Sequence, residues 1–586
     1  MNRPALIFAA VALLIAIVIG VVFLAPSAQS DLQPQSQSVS ESSPELSPEP
    51  QETAASYLPP IAPVGATLLE GLGDYSRPIT TDSAEAQRWF DQALMLTWGF
   101  NHQAAERSFL KAVEIDPDCA ICWWGSALVL GPHVNAGMDP SNNAAAWERL
   151  QAARGLAAMA QPWERAWIEA LSSRFAENPP DDRTGLDQAY ADAMARVTDA
   201  FPDDLDAASF HAEALMNLQP WNYWDDDGNP IGNSETIVAV LEGVIQRDPN
   251  HAGALHLYIH AVEASNEPER GVAAADRLRT LIPGSGHLVH MPAHIYGRVG
   301  RWHDAVIANQ RAIEADNAYL AACRPGPGIY PLGYVPHNHH FMWFAATMAG
   351  EQEVAMAAAQ STRDRTSDPD LMRLPGFEPM QNFALTPLFA SVRFARWDEV
   401  QAMPEPADDL PYMQAMWEYA QGMAALKSGA VDQAQQHHAR LSDFAQSPAI
   451  EAMQVWGRYS LIHGVRVAER TLAAELAWNE GDLDSTIAAM DTAIAIEDEL
   501  PYDEPPGWHY PGRMVLGAIL LESDQAEAAE AAYRAELSRN PENGWSLRGL
   551  ELALRAQQRE DEADEVAARF ENAWAHADME LASSRL

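Results

Sequence analysis

The sequence predicts an all-α protein built as a solenoid of stacked antiparallel helix pairs. Amphipathic stretches with helical periodicity follow one another from about residue 65 onwards, and Asp-Pro and Gly separate them at recurring intervals. Runs rich in β-branched residues are few. A chain of 586 residues would otherwise divide into three or four domains, whereas an elongated repeat array accommodates this length.

The composition excludes several classes of function. The chain has 82 acidic and 37 basic residues, a formal charge of -45, and two lysines, Lys111 and Lys427. Binding to a phosphate backbone or an anionic membrane surface needs clustered cations, so we expect no nucleic-acid partner. Three cysteines in a chain this long also exclude a disulfide-stapled scaffold.

The N-terminal segment predicts export from the cytoplasm. Residues Ala5 to Ala25 are apolar or small and follow Arg3, and as a helix they would span about 30 Å, the thickness of a bilayer core. Residues 1–25 are therefore either a membrane anchor or a signal peptide cleaved near Pro26. We expect a cell-membrane protein with a periplasmic or extracytoplasmic domain, or a protein secreted to the periplasm. Residues 26–64, rich in Ser, Pro and Glu, predict a disordered acidic linker.

The helical stretches also follow a repeat. One copy places a bulky residue in its first helix, small residues where two helices cross, and a Pro at the end: Trp89, Ala105, Phe109, Ala112 and Pro117. A late copy carries Leu516, Gly517, Ala529, Tyr533 and Pro541. This spacing resembles the tetratricopeptide (TPR) repeat, which implies a right-handed superhelix. We predict a solenoid with a histidine-lined groove over residues 65–400 and further repeats over 401–586.

Four motifs resemble those of a large bacterial group of tetratricopeptide proteins. They are CAICWWG at Cys119–Gly125, HLYIHAVE at His256–Glu263, GHLVHMPAHIY at Gly286–Tyr296, and NPENGW at Asn540–Trp545. The resemblance covers nearly all of residues 70–580. It implies the fold but brings no established activity, so any function must be argued from individual residues.

Histidines recur on the groove-lining face of three successive copies. In the numbering of the 34-residue repeat, position 5 holds His256, His290 and His340. Position 2 holds His287 and His337, and position 9 holds His260 and His294. Glu213 and Glu263 extend the same stripe. Histidines at i and i+4 share a helix face, and stacked pairs can converge on one Zn, Cu, Ni or Fe ion. Pro292 lies between His290 and His294 and can begin a new helix there. We therefore expect these two side chains to be less closely aligned than those of an ideal i,i+4 pair.

These features leave two classes of function open. In the first, the protein is an extracytoplasmic scaffold whose concave groove takes a protein or peptide segment, with a transition metal among the histidines. In the second, it is a metal-dependent enzyme, a hydrolase or oxidoreductase, in which Glu213 or Glu263 is a ligand or general base. An open coordination position beside a carboxylate favours the enzyme, and a closed site favours the scaffold.

Three further features accompany the histidines. Cys119 and Cys122 form a CxxC pair that suits buried structural thiols, a redox disulfide or half of a metal site. Two insertions break the repeat, at residues 219–230 and 324–336. Both predict aromatic lids over the groove, although their rings could also simply cap helix pairs. Asp225, Asp227 and Asn229 mimic the start of a calcium loop but lack its remaining ligands.

Overall fold

The computed structural model describes residues 65–225 and 227–586. The predicted N-terminal anchor or signal peptide and the acidic linker, residues 1–64, lie outside the described residues. Among the residues that are described, none forms a helix both long enough and apolar enough to cross a bilayer.

Helices make up almost the whole described chain. The first part comprises Ala84–Trp98, His102–Ile115, Ala120–Leu128, Asn143–Leu156, Pro162–Leu171, Thr184–Ala200, Leu205–Met216, Ser234–Arg247, Ala252–Val262 and Val272–Leu278. The middle comprises Gly286–His290, Pro292–Arg298, Trp302–Cys323, Val335–Ala349, Gln352–Thr366, Pro369–Met372, Pro379–Ala384, Thr386–Arg393 and Trp397–Ala402. The last part comprises Pro411–Lys427, Val431–Phe444, Pro448–Glu451, Ile462–Glu480, Leu483–Asp498, Gly512–Glu522, Ala526–Arg539, Gly544–Ala556 and Glu560–Ala573.

Short elements interrupt the long helices. Single 3₁₀ turns occur at Pro140–Asn142, Ala157–Met159 and Pro268–Gly271, and a π-helical turn occupies Tyr330–Tyr334. A small antiparallel hairpin pairs Gln454–Val455 with Tyr459–Ser460. The prediction of a predominantly helical protein is therefore confirmed.

Consecutive helices pack as antiparallel pairs because very short turns join them. Ile462–Glu480 and Leu483–Asp498 are in contact and are separated by two residues. Gly481, the first residue after the earlier helix, has φ 79°, in the left-handed region where glycine carries no steric penalty.

Large and small side chains interlock between successive pairs, as the repeat spacing predicts. The ring of Tyr533 lies against two glycines from neighbouring helices. A Cβ atom built on Gly517 would come within 2.6 Å of that ring, and one on Gly549 within 2.1 Å. Both positions therefore require glycine, since any larger residue would push the helices apart.

The C-terminal repeats return to pack against the middle of the chain. The Trp545 indole donates to the Thr347 carbonyl (2.7 Å), and the Trp302 indole donates to the Pro541 carbonyl (2.8 Å). One hydrophobic core runs from Leu72 to Leu581. The domain boundary predicted at residue 400 falls inside the helix Trp397–Ala402. Because of this return, the loop at residues 500–511 reaches the histidine-bearing helices.

The helix Gln352–Thr366 receives its N-terminal cap from this C-terminal region. Its own N-cap residue, Glu351, makes no side-chain capping bond. Instead the Asp578 carboxylate accepts the backbone N–H groups of Gln352 (2.6 Å) and Glu353 (2.8 Å). A carboxylate at this position satisfies donors that the helix itself leaves unpaired.

Candidate metal centre

Six of the predicted histidines meet inside the protein, where four helices converge. His256 and His260 lie on Ala252–Val262, His287 and His290 on Gly286–His290, His294 on Pro292–Arg298, and His337 on Val335–Ala349. Pro292 does begin a new helix, so His290 and His294 do not share one continuous helix. Their rings nevertheless converge, with the two Nε2 atoms 2.7 Å apart.

His256, His260 and His287 form the first triple, a group whose ligand atoms lie within 4.8 Å of one another. His256 Nδ1 donates to the Trp98 carbonyl (2.6 Å), which leaves its Nε2 unprotonated in the neutral ring. That Nε2 lies 3.1 Å from His287 Nε2. His260 Nδ1 donates to Glu263 (2.9 Å), and its buried Nε2 has no hydrogen-bond partner.

His290, His294 and His337 form the second triple. His290 Nε2 lies 2.7 Å from His294 Nε2 and 3.0 Å from His337 Nε2. His290 Nδ1 donates to Asn309 Oδ1 (2.7 Å), and the Asn309 amide donates to a helix carbonyl, which fixes its orientation. The Nε2 atom of neutral His290 therefore presents a lone pair to its two neighbours.

Glu263 connects the two triples. Its carboxylate is fully buried, with Oε1 2.9 Å from His260 Nδ1 and Oε2 2.7 Å from His294 Nδ1. Each triple thus has one imidazole oriented by the same carboxylate. A carboxylate behind a histidine fixes the ring's tautomer and raises its basicity as a ligand.

Glu504 reaches the same point from the C-terminal half of the chain. Its Oε2 contacts His294 Nδ1, and Glu263, His294 and Glu504 form a third group of potential ligands. Burial and the nearby Glu263 carboxylate raise the pKa of Glu504 well above its usual value. Sequence reasoning missed this residue, although it lies in an aromatic loop, the same kind of feature as the two insertions that it did single out.

The ring of Phe100 covers the first triple. Its centroid lies 4.4 Å from that of His256 and 5.6 Å from that of His287. Two more histidines that sequence reasoning did not single out, His102 and His133, pack beside it with their rings 4.4 Å apart. The histidines of this region are thus enclosed by side chains rather than exposed in an open groove.

Both sequence insertions contribute to this enclosure. From the first, the Trp221 ring lies 5.2 Å from the ring of His260, and the Trp224 indole donates to the Ala261 carbonyl. From the second, the Tyr334 ring lies 4.5 Å from the ring of His287. Asp225 accepts the backbone N–H groups of Asp227 and Asn229 and so closes its own turn.

The burial of these groups sets their protonation states. Burial lowers the pKa of four imidazoles well below its usual value, and neighbouring imidazoles add to the effect: His256, His287, His290 and His337. Burial also lowers the pKa of His294, although Glu263 partly offsets it. Burial alone would raise the pKa of Glu263, but His294 and His260 outweigh it and lower the pKa. Neutral imidazoles beside an ionised carboxylate are in the state that metal binding requires.

Two predicted site residues lie apart from these groups. His340 packs against Phe383, with ring centroids 4.6 Å apart, and burial lowers its pKa to about 3. Burial raises the pKa of Glu213 to about 7, and Arg174 opposes the shift. Within the described part of the chain, neither residue belongs to a group of three potential ligands.

Cys119 and Cys122 are joined in a disulfide at the start of the helix Ala120–Leu128. Both residues are completely buried. Of the alternatives that the CxxC spacing left open, the structure therefore shows the oxidised, bonded pair. Cys323 is a free, half-buried thiol.

The chain matches no family model and no curated protein. Solved structures of TPR-like helical repeat proteins are similar to it at low sequence identity. The human IFIT1 dimer with m7Gppp-AAAA shares 12% identity with a TM-score of 0.28, covering 86% of this chain and 92% of that one. The APC/C hetero-tetramer Cut9-Hcn1 shares 14% identity with a TM-score of 0.28, covering 85% and 95%. Yeast Tom70 shares 11% identity with a TM-score of 0.30, covering 84% and 92%.

Proposed function

We propose that the protein binds a transition-metal ion at the second triple, His290, His294 and His337. One observation carries this proposal: the Nε2 atoms of His290 and His294 face each other at 2.7 Å. His290 Nδ1 donates to Asn309, and His294 Nδ1 faces the Glu263 carboxylate, so in neutral rings both Nε2 atoms carry lone pairs. A cation between them, or a proton on one of them, relieves the repulsion.

The spacing of these atoms suits a metal ion. Nitrogen ligands at 2.0–2.1 Å from a tetrahedral ion lie about 3.3–3.4 Å from one another. His290 Nε2 lies 2.7 Å from His294 Nε2 and 3.0 Å from His337 Nε2, so shifts of a few tenths of an ångström would bring both separations to this value. Neutral imidazoles favour Zn, Cu, Ni or Fe over Mg or Ca, which prefer oxygen ligands.

Metal analysis of the full chain tests this proposal. Protein purified without chelator, or reconstituted with Zn²⁺ and passed through a desalting column, should retain at least one equivalent of metal. Replacing His290 and His294 together by Ala should abolish retention at the second triple. The control His437→Ala alters a histidine bonded to Glu418 on a different helix and should leave retention unchanged.

A folding measurement and a second variant distinguish loss of metal from misfolding. Helix content and thermal stability of each variant are measured by circular dichroism, and a second variant, His337→Ala, alters the least buried member of the triple. Less than about one tenth of an equivalent of any first-row metal in the folded wild-type protein would refute the proposal.

A second candidate function is metal-dependent catalysis at the same site. Three protein ligands leave a tetrahedral ion one open position, the arrangement of catalytic rather than structural zinc sites. Glu504 Oε2 contacts His294 Nδ1, on the side of the ring away from Nε2, so together with Glu263 it would orient this ligand histidine. Adding azide to the Co²⁺-substituted protein should change its visible spectrum if a position is open. An unchanged spectrum would leave a closed, structural ion.

Further parts of the functional prediction also stand as proposals. A protein or peptide partner would bind the surface outside the buried triples, because their histidines are at most partly exposed. The proposed membership of this chain in the bacterial tetratricopeptide group rests on the four sequence motifs. Export through residues 1–25, with the solenoid outside the cytoplasm, rests on their apolar composition.

A further inference from the structure

We propose that the first triple, His256, His260 and His287, binds a second metal ion, and that Glu263 couples it to the ion at the second triple. This inference rests on the proposed function, since it adds a site to the same centre. The two triples share no histidine, so each can hold its own ion.

The first triple offers nitrogen atoms that the protein itself does not satisfy. The Trp98 carbonyl holds the Nδ1 proton of His256, and the remaining Nε2 points to His287 Nε2 at 3.1 Å. His260 Nε2 and His287 Nδ1 are buried without hydrogen-bond partners. A buried polar atom left unpaired destabilises the folded state, and coordination of a cation by His260 Nε2 would remove that penalty for this atom.

Glu263 makes the two sites one unit. It holds His260 of the first triple through Oε1 (2.9 Å) and His294 of the second through Oε2 (2.7 Å). Its side chain is 0% exposed, so no solvent can replace either contact. An ion at one triple fixes the carboxylate in the orientation that the other triple needs, and this favours binding of the second ion.

Phe100 gives independent support for a shielded site. It occupies the turn after the helix Ala84–Trp98 with φ 52°, and glycines occupy similar turns at Gly300 (φ 79°) and Gly350 (φ 75°). A bulky residue in this left-handed conformation is strained, and such strain persists where the side chain is needed. Here the ring lies over His256 and His287 and excludes water from them.

The ligand class follows from the donor atoms. Each triple offers three imidazole nitrogens, so both ions should be divalent first-row metals of the Zn, Cu, Ni or Fe type. Three protein ligands leave each ion at least one position for a small ligand such as water or hydroxide. Because the imidazoles of the first triple are 0–2% exposed, that ligand must be small.

Counting ions in the full-length protein tests the inference. Titration with Co²⁺, followed by metal analysis of the desalted protein, should give two equivalents for the wild type. His256→Ala/His260→Ala should retain one, and so should His287→Ala, a single change that perturbs folding less. One equivalent in the wild type, lost only with His290 and His294, would refute the second site and leave the proposed function intact. No bound metal would refute both.

The coupling has its own test. Glu263→Gln should weaken both binding steps, each by about 10–100-fold, because an amide has one acceptor oxygen, whereas the carboxylate presents Oε1 to His260 Nδ1 and Oε2 to His294 Nδ1. The matched control is Glu164→Gln, which alters an equally buried glutamate bonded to Thr80. Weakening of one step alone, or of neither, would overturn the coupling. Visible spectra of the Co²⁺ forms show which step each variant affects.

Discussion

Replacing Trp545 by Ala should weaken the packing of the C-terminal repeats against the middle of the chain and so lower the free energy of unfolding. Trp545 is completely buried, its indole donates to the Thr347 carbonyl (2.7 Å), and the Arg393 guanidinium stacks 3.5 Å above its ring. Residues from three distant parts of the sequence therefore meet at one side chain.

The magnitude follows from these contacts. Removing a buried tryptophan side chain costs about 3–5 kcal/mol through lost apolar burial and the cavity it leaves. The lost hydrogen bond adds about 1 kcal/mol and the cation–π contact with buried Arg393 about 2 kcal/mol. Since these contributions overlap, we expect Trp545→Ala to lower the free energy of unfolding by about 4–6 kcal/mol. Trp545→Phe keeps most of the apolar contact and should cost about 1–2 kcal/mol.

Urea denaturation followed by circular dichroism measures this loss, and Trp456→Ala is the control. Trp456 is 49% exposed at the tip of the small hairpin, so its replacement should change the unfolding free energy by less than about 0.5 kcal/mol. A loss below about 2 kcal/mol for Trp545→Ala, or one equal to that of Trp456→Ala, would refute the reasoning. The C-terminal repeats would then be an independent array.

Three further predictions concern charge, covalent linkage and topology. Burial and the neighbouring Glu497 carboxylate raise the pKa of Glu536 to about 8. Between pH 4.5 and pH 8 the folded state therefore holds a proton that the unfolded chain has released. The free energy of unfolding falls as pH rises through this range. Glu536→Gln should therefore gain stability relative to wild type from about pH 5 to pH 9 in urea titrations, and the exposed Glu527→Gln on the same helix should not. The double replacement of Cys119 and Cys122 by Ser should cost about 2 kcal/mol, from the short loop that the disulfide closes, and leave bound metal unchanged; lost metal would contradict this. Protease added outside intact spheroplasts should digest the chain after about residue 30, and protection of the solenoid would exclude export.

The helical architecture could be predicted because its determinants are local. Helical periodicity, and the Gly and Pro residues between helices, depend on near neighbours in sequence. Gly300 and Gly350 have positive φ angles in the turns that follow the helices Pro292–Arg298 and Val335–Ala349. Recurrence of histidines at equivalent repeat positions likewise pointed to the residues of both triples.

Long-range features of the site were beyond this reasoning. Repeat numbering relates neighbouring copies, whereas Glu504 lies 210 residues beyond His294 in the sequence and reaches it only because the C-terminal repeats fold back. His340 was predicted as a ligand because it holds position 5, like His256 and His290. Both triples combine positions 5 and 9 of one copy with position 2 of the next, whereas His340 holds position 5 of a copy in which Phe344 stands at position 9, and its ring packs against Phe383.

The cap that Asp578 places on the helix Gln352–Thr366 also sets an order of events during synthesis. The capping carboxylate is made 226 residues after the helix that it caps. At about 5–20 residues per second, the ribosome needs about 10–45 seconds to cover that distance. The earlier repeats can form as they emerge from the ribosome. The helix Gln352–Thr366 is capped, and Glu504 reaches the histidines, only after the later part of the chain has been made. A chaperone or a metal-loading step that acts on the nascent chain would therefore meet a centre that is still incomplete.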